Sequence, residues 1–354
     1  MSDRFRELLK KVGSGTHTGK NLTRDEAKNA TVMMLDREAT PAQIGAFLIA
    51  HRIKRPTPEE LAGILDAYDV FGQKLDLGTD NTRQNVVLGN PYDGRSRTIP
   101  VTPITALILA AVGIITVMHG GDRMPTKYGI PLVEIWQKLG VDFSNFSLSQ
   151  TQTFLEQTRI ALVYLPQHFP EAHSLVTYRE QIGKRPPFAS AELIWCPVIG
   201  NFTLVAGFVH PPTEERFVRT LSLRGVQNFI TVKGLEGSCD LSRSRTAIIG
   251  IGRENDDFSH LFIHPADYKL DGTDLAFTSA DEAIAQIDAV IEGKDSPLTP
   301  AAILNGGFYL WRFGVCTDLE EGLDLAKEML ATGKVKQKLA SLQQVKYAID
   351  KNRV

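Results

Sequence analysis

Four segments of this chain carry residue types that could do chemistry on a phosphate-bearing molecule. The first is the loop Gly89-Asn-Pro-Tyr-Asp-Gly-Arg-Ser-Arg97, which leads to a helix start near Thr102. Glycines let backbone approach an anion closely, and a helix N-terminus offers free N–H groups and a positive dipole end. Arg95 and Arg97 add guanidinium donors matched to phosphate oxygens. An ordinary strand-to-helix turn has a similar composition. The second segment, His119-Gly-Gly-Asp-Arg-Met-Pro-Thr-Lys127, follows an apolar strand. It reads as a ligand loop or as a solvated one. A third, Tyr178-Arg-Glu-Gln-Ile-Gly-Lys-Arg185, is a ligand clamp or a charged helix end. In the fourth, Glu236-Gly-Ser-Cys-Asp240, two acids on a glycine-containing loop could hold Mg²⁺ with substrate phosphates, or form an acidic turn.

Positioning such loops requires a scaffold, and the pattern supplies one. Residues 1 to 70 read as helices. Thr23-Arg-Asp-Glu26 is a capping box, and Thr40-Pro41 and Thr57-Pro-Glu-Glu60 start two further helices. The helix that starts at Thr40-Pro41 carries the apolar stripe Ile44, Phe47, Leu48, extended by His51. After Asp80 short apolar runs alternate with helical segments. Strands are expected near 86–88, 114–118, 160–165, 203–209, 229–232 and 246–251, with helices at 102–112 and 131–139 and a helical tail over 318–342. This alternation predicts an α/β fold with parallel strands at the centre of its sheet. In such sheets ligands bind beyond the carboxyl ends of the strands, where the first two loops fall.

Composition narrows the function classes. The chain has 354 residues, 43% hydrophobic and 23% charged, with a formal net charge of −2. Bulk charge therefore excludes a protein that coats nucleic acid, although a local basic face stays open. Three cysteines, Cys196, Cys239 and Cys316, make neither a disulfide framework nor a Cys-x-x-Cys zinc site, and imply a reducing, cytoplasmic compartment. The N-terminus is charged rather than signal-like, and the longest apolar run, Ile104 to Val117, is shorter than the roughly 20 residues of a membrane span.

Placed in order, these segments resemble the anthranilate phosphoribosyltransferase family over nearly the whole chain. The resemblance is carried by Leu22-Thr-Arg-Asp-Glu-Ala27, Ala39-Thr-Pro-Ala-Gln-Ile-Gly-Ala-Phe-Leu48, Arg52-Ile-Lys54, Thr57-Pro-Glu-Glu-Leu-Ala-Gly63, Glu321-Gly-Leu-Asp-Leu-Ala326 and Thr332-Gly-Lys334. It implies a helical domain over 1–75, with a contribution from about 166–190, beside an α/β domain over 80–350 with a mixed, centrally parallel sheet. It also implies a homodimer through the helical domain, and the apolar positions Ile44, Phe47 and Leu48 are expected to exceed what a small domain buries alone. The family moves phosphoribose from phosphoribosyl pyrophosphate to the anthranilate amine with Mg²⁺. Such a reaction rests on positioning and on neutralising charge that grows on the leaving pyrophosphate.

The chain departs from the family in its functional loops. The pyrophosphate loop Gly-Thr-Gly-Gly-Asp becomes Gly89-Asn-Pro-Tyr-Asp93, and the helix start Asn-Ile-Ser-Thr becomes Ile99-Pro-Val-Thr102. Pro91 and Pro100 each remove an N–H donor, and Tyr92 adds bulk. In the second loop His119-Gly120 survive, but Met118 stands where the family has lysine, and Gly121-Asp122 precede Arg123. The family's Asp-Glu metal pair becomes Cys239-Asp240. Arg179 falls at the arginine that contacts anthranilate. These departures resemble a divergent branch, some members of which bind nucleic acid.

Two functions follow from the resemblance. A glycosyl or phosphoribosyl transferase with altered or weak activity toward anthranilate would use Gly89, Asp93, Gly94, Arg95, Thr102, His119, Gly120, Arg123, Thr126 and Lys127 around the donor, with Arg95, Arg123 and Lys127 converging on phosphate. Arg179 would hold the acceptor, and Asp240 and Asp93 would take Mg²⁺. His119 is expected to shape its loop or touch the acceptor rather than act as a base. Alternatively the chain is a non-catalytic binder of single-stranded nucleic acid. Residues 216–245 carry six Lys/Arg against two Asp/Glu, and residues 327–354 seven against two. On one groove these runs would give salt-sensitive affinity; apart, they are solvated helix faces.

Overall fold

The computed structural model describes residues 3–15, 17–78, 84–253 and 257–351. The expected boundary near Asp80 and the basic Arg353 lie outside them. Four helices open the chain: α1 (Asp3–Gly13), α2 (Arg24–Leu35), α3 (Pro41–Lys54) and α4 (Pro58–Phe71). The last three begin in reciprocal capping boxes, on Thr23/Glu26, Thr40/Gln43 and Thr57/Glu60. Each box satisfies two backbone donors that a helix start leaves free.

The strands are β1 (Leu75–Asp76), β2 (Asn85–Gly89), β3 (Ile115–Gly120), β4 (Ile160–Tyr164), β5 (Val198–Ile199), β6 (Thr203–Gly207), β7 (Phe229–Val232), β8 (Ala247–Gly252) and β9 (Ser259–Ile263). β1 and β5 form a small parallel pair. The other seven form one sheet in the order β4-β3-β2-β6-β7-β8-β9. Across that order the strands are parallel as far as β7, and β8 and β9 are antiparallel additions. The chain leaves β2 toward β3 on one side, while β6 lies on the other. That reversal opens a crevice at the carboxyl ends of β2 and β6.

The parallel strands are buried on both faces, as their unbroken apolar runs require. Val86 and Leu88 face one core, and Val87 faces the other. The first core is closed by α5 (Thr102–Ala111), α6 (Leu132–Lys138), α13 (Ala280–Ile291), α14 (Thr299–Arg312), α15 (Leu319–Ala331) and α16 (Lys334–Lys351). The second is continuous with α1 to α4 and with α12 (Pro211–Leu223). Between these elements run α7 (Leu148–Thr158), α8 (Leu165–His168), α9 (Pro170–Ser174), α10 (Val176–Ile182) and α11 (Phe188–Ala191). The helical tail expected over 318–342 consists of α15 and α16, parted at Gly333, whose φ is +75°. No helix among the described residues is long and apolar enough to cross a membrane.

One expectation needs correction here, and one open alternative is decided. Ile44, Phe47 and Leu48 do not exceed what the chain can bury: all three are covered within one copy, with the ring of Phe5 in α1 packed 5.4 Å from that of Phe47. The basic runs do not share a groove. Phe217 and Leu221 seat α12 on one face of the sheet, whereas Val335, Leu339 and Leu342 seat α16 on the other.

One charge cluster sets an acid limit on the helical region. Glu60 is buried and accepts from Leu22 N, Thr57 N and Lys54 Nζ, with His51 Nε2 at 3.2 Å. Burial pushes its carboxyl up, but His51, Lys54 and the Thr57 N–H outweigh that and hold it at about 2. The contribution is complete above the ordinary carboxylate range and is lost as pH falls toward about 2. At roughly 1.4 kcal/mol per pH unit it is worth about 3 kcal/mol. Urea denaturation of wild type is expected to show this loss between pH 5 and 2, and Glu60→Gln should flatten it.

Candidate functional site

The crevice at the strand ends is a cleft of about 660 Å³. Its walls come from the loop after β2, from 208–213 after β6, and from 234–237 after β7. Two glycines lock the β2 loop to the second loop. Gly94 has φ +72°, and a Cβ there would lie 2.5 Å from Gly129. Arg95 and Ile130 then exchange backbone hydrogen bonds of 3.2 and 2.8 Å. Neither glycine can gain a side chain without parting the loops.

The loop after β2 curls into a nest of three consecutive N–H groups, on Ser96, Arg97 and Thr98. All three donate to the carboxylate of Glu236, at 3.2, 3.0 and 3.2 Å. The hydroxyls of Ser96 and Thr98, Arg95 Nε at 3.2 Å and Lys127 Nζ at 3.3 Å complete the set. Consecutive backbone N–H groups aimed at one point form an anion cradle. Glu236 itself has φ +56°, a left-handed conformation that costs a non-glycine residue energy and persists where its surroundings enforce it. Burial pushes this carboxyl up; the charges of Lys127 and Arg95 and the backbone donors outweigh that and hold it at about 2.

A second carboxylate fills the neighbouring helix N-terminus. Val101, at the N-cap of α5, has no side-chain acceptor of its own. Asp240 substitutes: its Oδ2 accepts from Val101 N at 3.0 Å and from Arg95 Nη1 at 2.8 Å, and its Oδ1 from Thr102 Oγ1 at 2.8 Å. Arg95, nearly fully buried, thereby joins Glu236, Asp240 and Ser238. Asp93, also buried, is paired with Arg185 and lies 4.0 Å from Lys127.

The acceptor side is equally full. Arg179 is buried and forked onto Glu192, with contacts of 3.2 to 3.3 Å, and its Nη1 touches Met124 Sδ. Burial raises the Glu192 carboxyl, against the opposing pull of Arg179. Tyr92 fills the space beside them, and its hydroxyl lies 2.6 Å from His119 Nδ1. Burial pushes His119 down to about 3, so it is a neutral hydrogen-bond partner of the tyrosine hydroxyl and no charge carrier. A recess between Tyr68, Tyr92, Arg179 and Glu192 measures about 20 Å³, room for about one water, and Tyr92, Arg179 and Glu192 also line the open cleft.

The expected site residues therefore separate. Gly89 and Gly120 end β2 and β3, and Asp93, Gly94, Arg95, Thr102, His119 and Lys127 stand in or behind the cleft wall. Arg123 points elsewhere, onto Glu134 at 2.6 and 2.8 Å, and Thr126 is exposed outside the lining. Only Arg95 and Lys127 of the expected trio converge, and their focus is Glu236. The Mg²⁺ assignment to Asp93 and Asp240 does not fit the donor set. Each carboxylate is spent on a guanidinium, and the described residues hold no cluster of three His, Cys, Asp or Glu suited to a metal. Arg97, named with Arg95 as a phosphate donor, stands at the cleft rim, and the lining residues that sequence reasoning did not assign to the site are Arg185 and Arg245. Arg185 ends the third charged segment, the one signal that could have found it.

Comparison with known proteins accords with this architecture. The helical bundle domain described for a glycosyl transferase family matches residues 6–71, and that family's a/b domain matches residues 93–336. The anthranilate phosphoribosyltransferase of Acetivibrio thermocellus is 26% identical over 335 residues, 94% of this chain and 95% of its own. That of Persephonella marina is 26% identical over 344 residues, 96% and 98% of the two chains. Among solved structures, the enzyme of Thermus thermophilus superposes with a TM-score of 0.76 at 18% identity, covering 98% of this chain and all of its own (100%). The Saccharomyces cerevisiae enzyme in complex with PRPP and Mg superposes at 0.82 with 14% identity, covering 98% and 99%.

Proposed function

Since the chain belongs to the glycosyl transferase family that joins a helical bundle to an a/b domain, we propose that it is an anthranilate phosphoribosyltransferase-like protein whose cleft receives a phosphate-bearing ligand while transfer to anthranilate is weak or absent. The observation that carries this reading is the Glu236 carboxylate in the nest of residues 96–98. A phosphate entering the nest meets an internal competitor of the same charge sign and similar oxygen geometry. Once Glu236 swings out, Lys127 and Arg95 lose a partner and become free to neutralise the incoming charge.

The cleft suits such a ligand. Its lining carries Arg97, Lys127, Arg179, Arg185 and Arg245 against Asp93, Glu192 and Glu236. Arg97 and Arg245 make no ion pair among the described residues and stand exposed at the rim, where they would draw a phosphate in. Phosphoribosyl pyrophosphate, a sugar phosphate and a nucleotide all carry the group required. No catalytic step is assigned to Mg²⁺, because Asp93 and Asp240 are already engaged by guanidinium and hydrogen-bond donors. The homodimer is retained as a proposal from the family resemblance alone; light scattering at micromolar concentration should give about twice the chain mass.

Calorimetry with pyrophosphate tests the reading. Glu236→Gln keeps the shape but removes the charge that holds the nest and its two cations. Charge-assisted hydrogen bonds of this kind are worth about 1.5–3 kcal/mol each, so the variant is expected to bind pyrophosphate about ten- to a hundredfold more tightly than wild type. Equal or weaker binding by the variant refutes the latch. Single-stranded DNA at two salt concentrations is the parallel arm: tight, salt-steep binding there with none to pyrophosphate favours the nucleic-acid function instead.

A further inference from the structure

The strands that carry the cleft at their carboxyl ends enclose a second recess, of about 260 Å³, at their amino ends. Asn85 begins β2, Thr203 begins β6, Phe229 begins β7, and antiparallel β8 ends at Gly252; all four residues line it. The polar side chains around it are the amides of Gln84, Asn85, Asn201 and Asn228, the guanidiniums of Arg253 and Arg312, and the Thr203 hydroxyl. No carboxylate of the described residues is among the lining.

Two arginines give the recess its charge. Arg312, the last residue of α14, is stacked on its neighbour Trp311 with the guanidinium 5.1 Å from the ring centroid. Burial lowers its proton affinity, and the charge of Arg253 lowers it further, which reports the nearness of the two cations. Neither makes an ion pair among the described residues. Asp257 lines the adjoining recess with both and lies within 4.0 Å of neither. Two buried polar atoms here have no hydrogen-bond partner among the described residues: Arg312 Nε and Asn85 Oδ1. The Asn85 amide nitrogen is fixed on Asn201 O at 2.8 Å, so its oxygen is left as an acceptor. Two neighbouring guanidiniums beside a buried acceptor without a partner among the described residues form a recess that an oxyanion carrying a hydrogen-bond donor would complete.

From this arrangement we infer that the recess is a binding site for a small organic anion, whose oxyanion bridges Arg253 and Arg312 and whose hydroxyl or amino group turns toward Asn85. A guanidinium pair recognises phosphate and carboxylate oxygens by the same bidentate geometry, and the amides supply neutral hydrogen bonds around it. The site is independent of the cleft, lying at the opposite ends of β2, β6 and β7. Its occupancy does not depend on Glu236.

Calorimetric titration of the full chain with L-malate and, separately, with D-glycerate tests it, since both probes carry an oxyanion and a hydroxyl and neither carries the phosphate proposed for the cleft. Wild type is expected to bind at least one of the two saturably. Arg253→Gln and Arg312→Gln are each expected to weaken that binding about tenfold or more, and the double variant to abolish it. Arg253 is exposed, so its substitution leaves the fold intact even if Arg312→Gln disturbs packing against Trp311. A cleft variant, Arg185→Ala, should leave the binding in place. Absence of binding to both probes, or binding that survives the double variant, or binding that Arg185→Ala removes, overturns the inference. These outcomes are separate from the pyrophosphate response of Glu236→Gln, so either proposal can fail alone.

Discussion

Incubated with phosphoribosyl pyrophosphate, anthranilate and Mg²⁺, this protein is expected to form phosphoribosyl anthranilate at least about 10⁴-fold more slowly than an anthranilate phosphoribosyltransferase assayed beside it. The expectation rests on two independent obstructions. On the donor side, Pro91 and Pro100 offer no N–H, and the N–H groups of residues 96–98 are already bonded to Glu236. On the acceptor side, Arg179 is forked onto Glu192 and is not free to hold a second carboxylate. Losing one preorganised donor from a transition state commonly slows a reaction about 10²–10³-fold. Two such losses multiply to about 10⁴ or beyond when they act separately. Loss of anthranilate fluorescence measures the rate directly. A turnover near one per second would mean that Glu236 leaves the nest readily and that Glu192 releases Arg179.

The helical bundle and the parallel sheet were legible because their signals are local. Thr23, Thr40 and Thr57 each stand three residues before the Glu or Gln that completes the box, and the box formed each time. Strand β9 and helices α7, α12, α13 and α14 were not anticipated. α12 begins on Pro211-Pro-Thr and carries charges along most of its length, and β9 lies exposed at the sheet edge with little apolar run. The site was legible in its inventory and not in its pairing. Glu236 and Asp240 read as an acidic loop suited to a cation, which they are; the cations prove to be Arg95 and Lys127, about 110 to 145 residues away along the chain. Spacing within a loop does not say which distant loop folds against it. Arg123 shows the converse: it sits in the expected loop, yet its side chain turns to Glu134, eleven residues on. The burial of Ile44, Phe47 and Leu48 was misjudged for the same reason, since the cover comes from α1 and α10 of the same chain rather than from a second copy.

Replacing Arg95 with alanine is expected to lower the unfolding free energy by about 3–5 kcal/mol at pH 7. Its guanidinium bonds Glu236, Ser238 and Asp240, besides Thr98, and its side chain is 4% exposed beside carboxylates that are 9% and 2% exposed. Removing one partner of a buried ion pair leaves uncompensated charge in a medium that solvates it poorly, which is where losses of this size arise. Arg95→Lys should recover only part, because an ammonium cannot span Glu236 and Asp240 as a planar fork does. Arg123→Ala is the control: its pair with Glu134 is 41% exposed on the arginine side, and such surface pairs are worth about 1 kcal/mol or less. The sign with pH separates charge from packing. Glu236 is held at about 2 partly by Arg95, so without the guanidinium its folded-state value rises toward the ordinary carboxylate range. Protonation then relieves the variant, and the gap to wild type should narrow as pH falls from 7 to 4. Asp240→Asn in the Arg95→Ala background should narrow it at pH 7 as well, because the two changes share one network. Urea denaturation of wild type and these variants at both pH values measures each step. A loss that is equally large at pH 4, with no recovery from Asp240→Asn, would assign the effect to the cavity left by the side chain and not to the buried charges it neutralises.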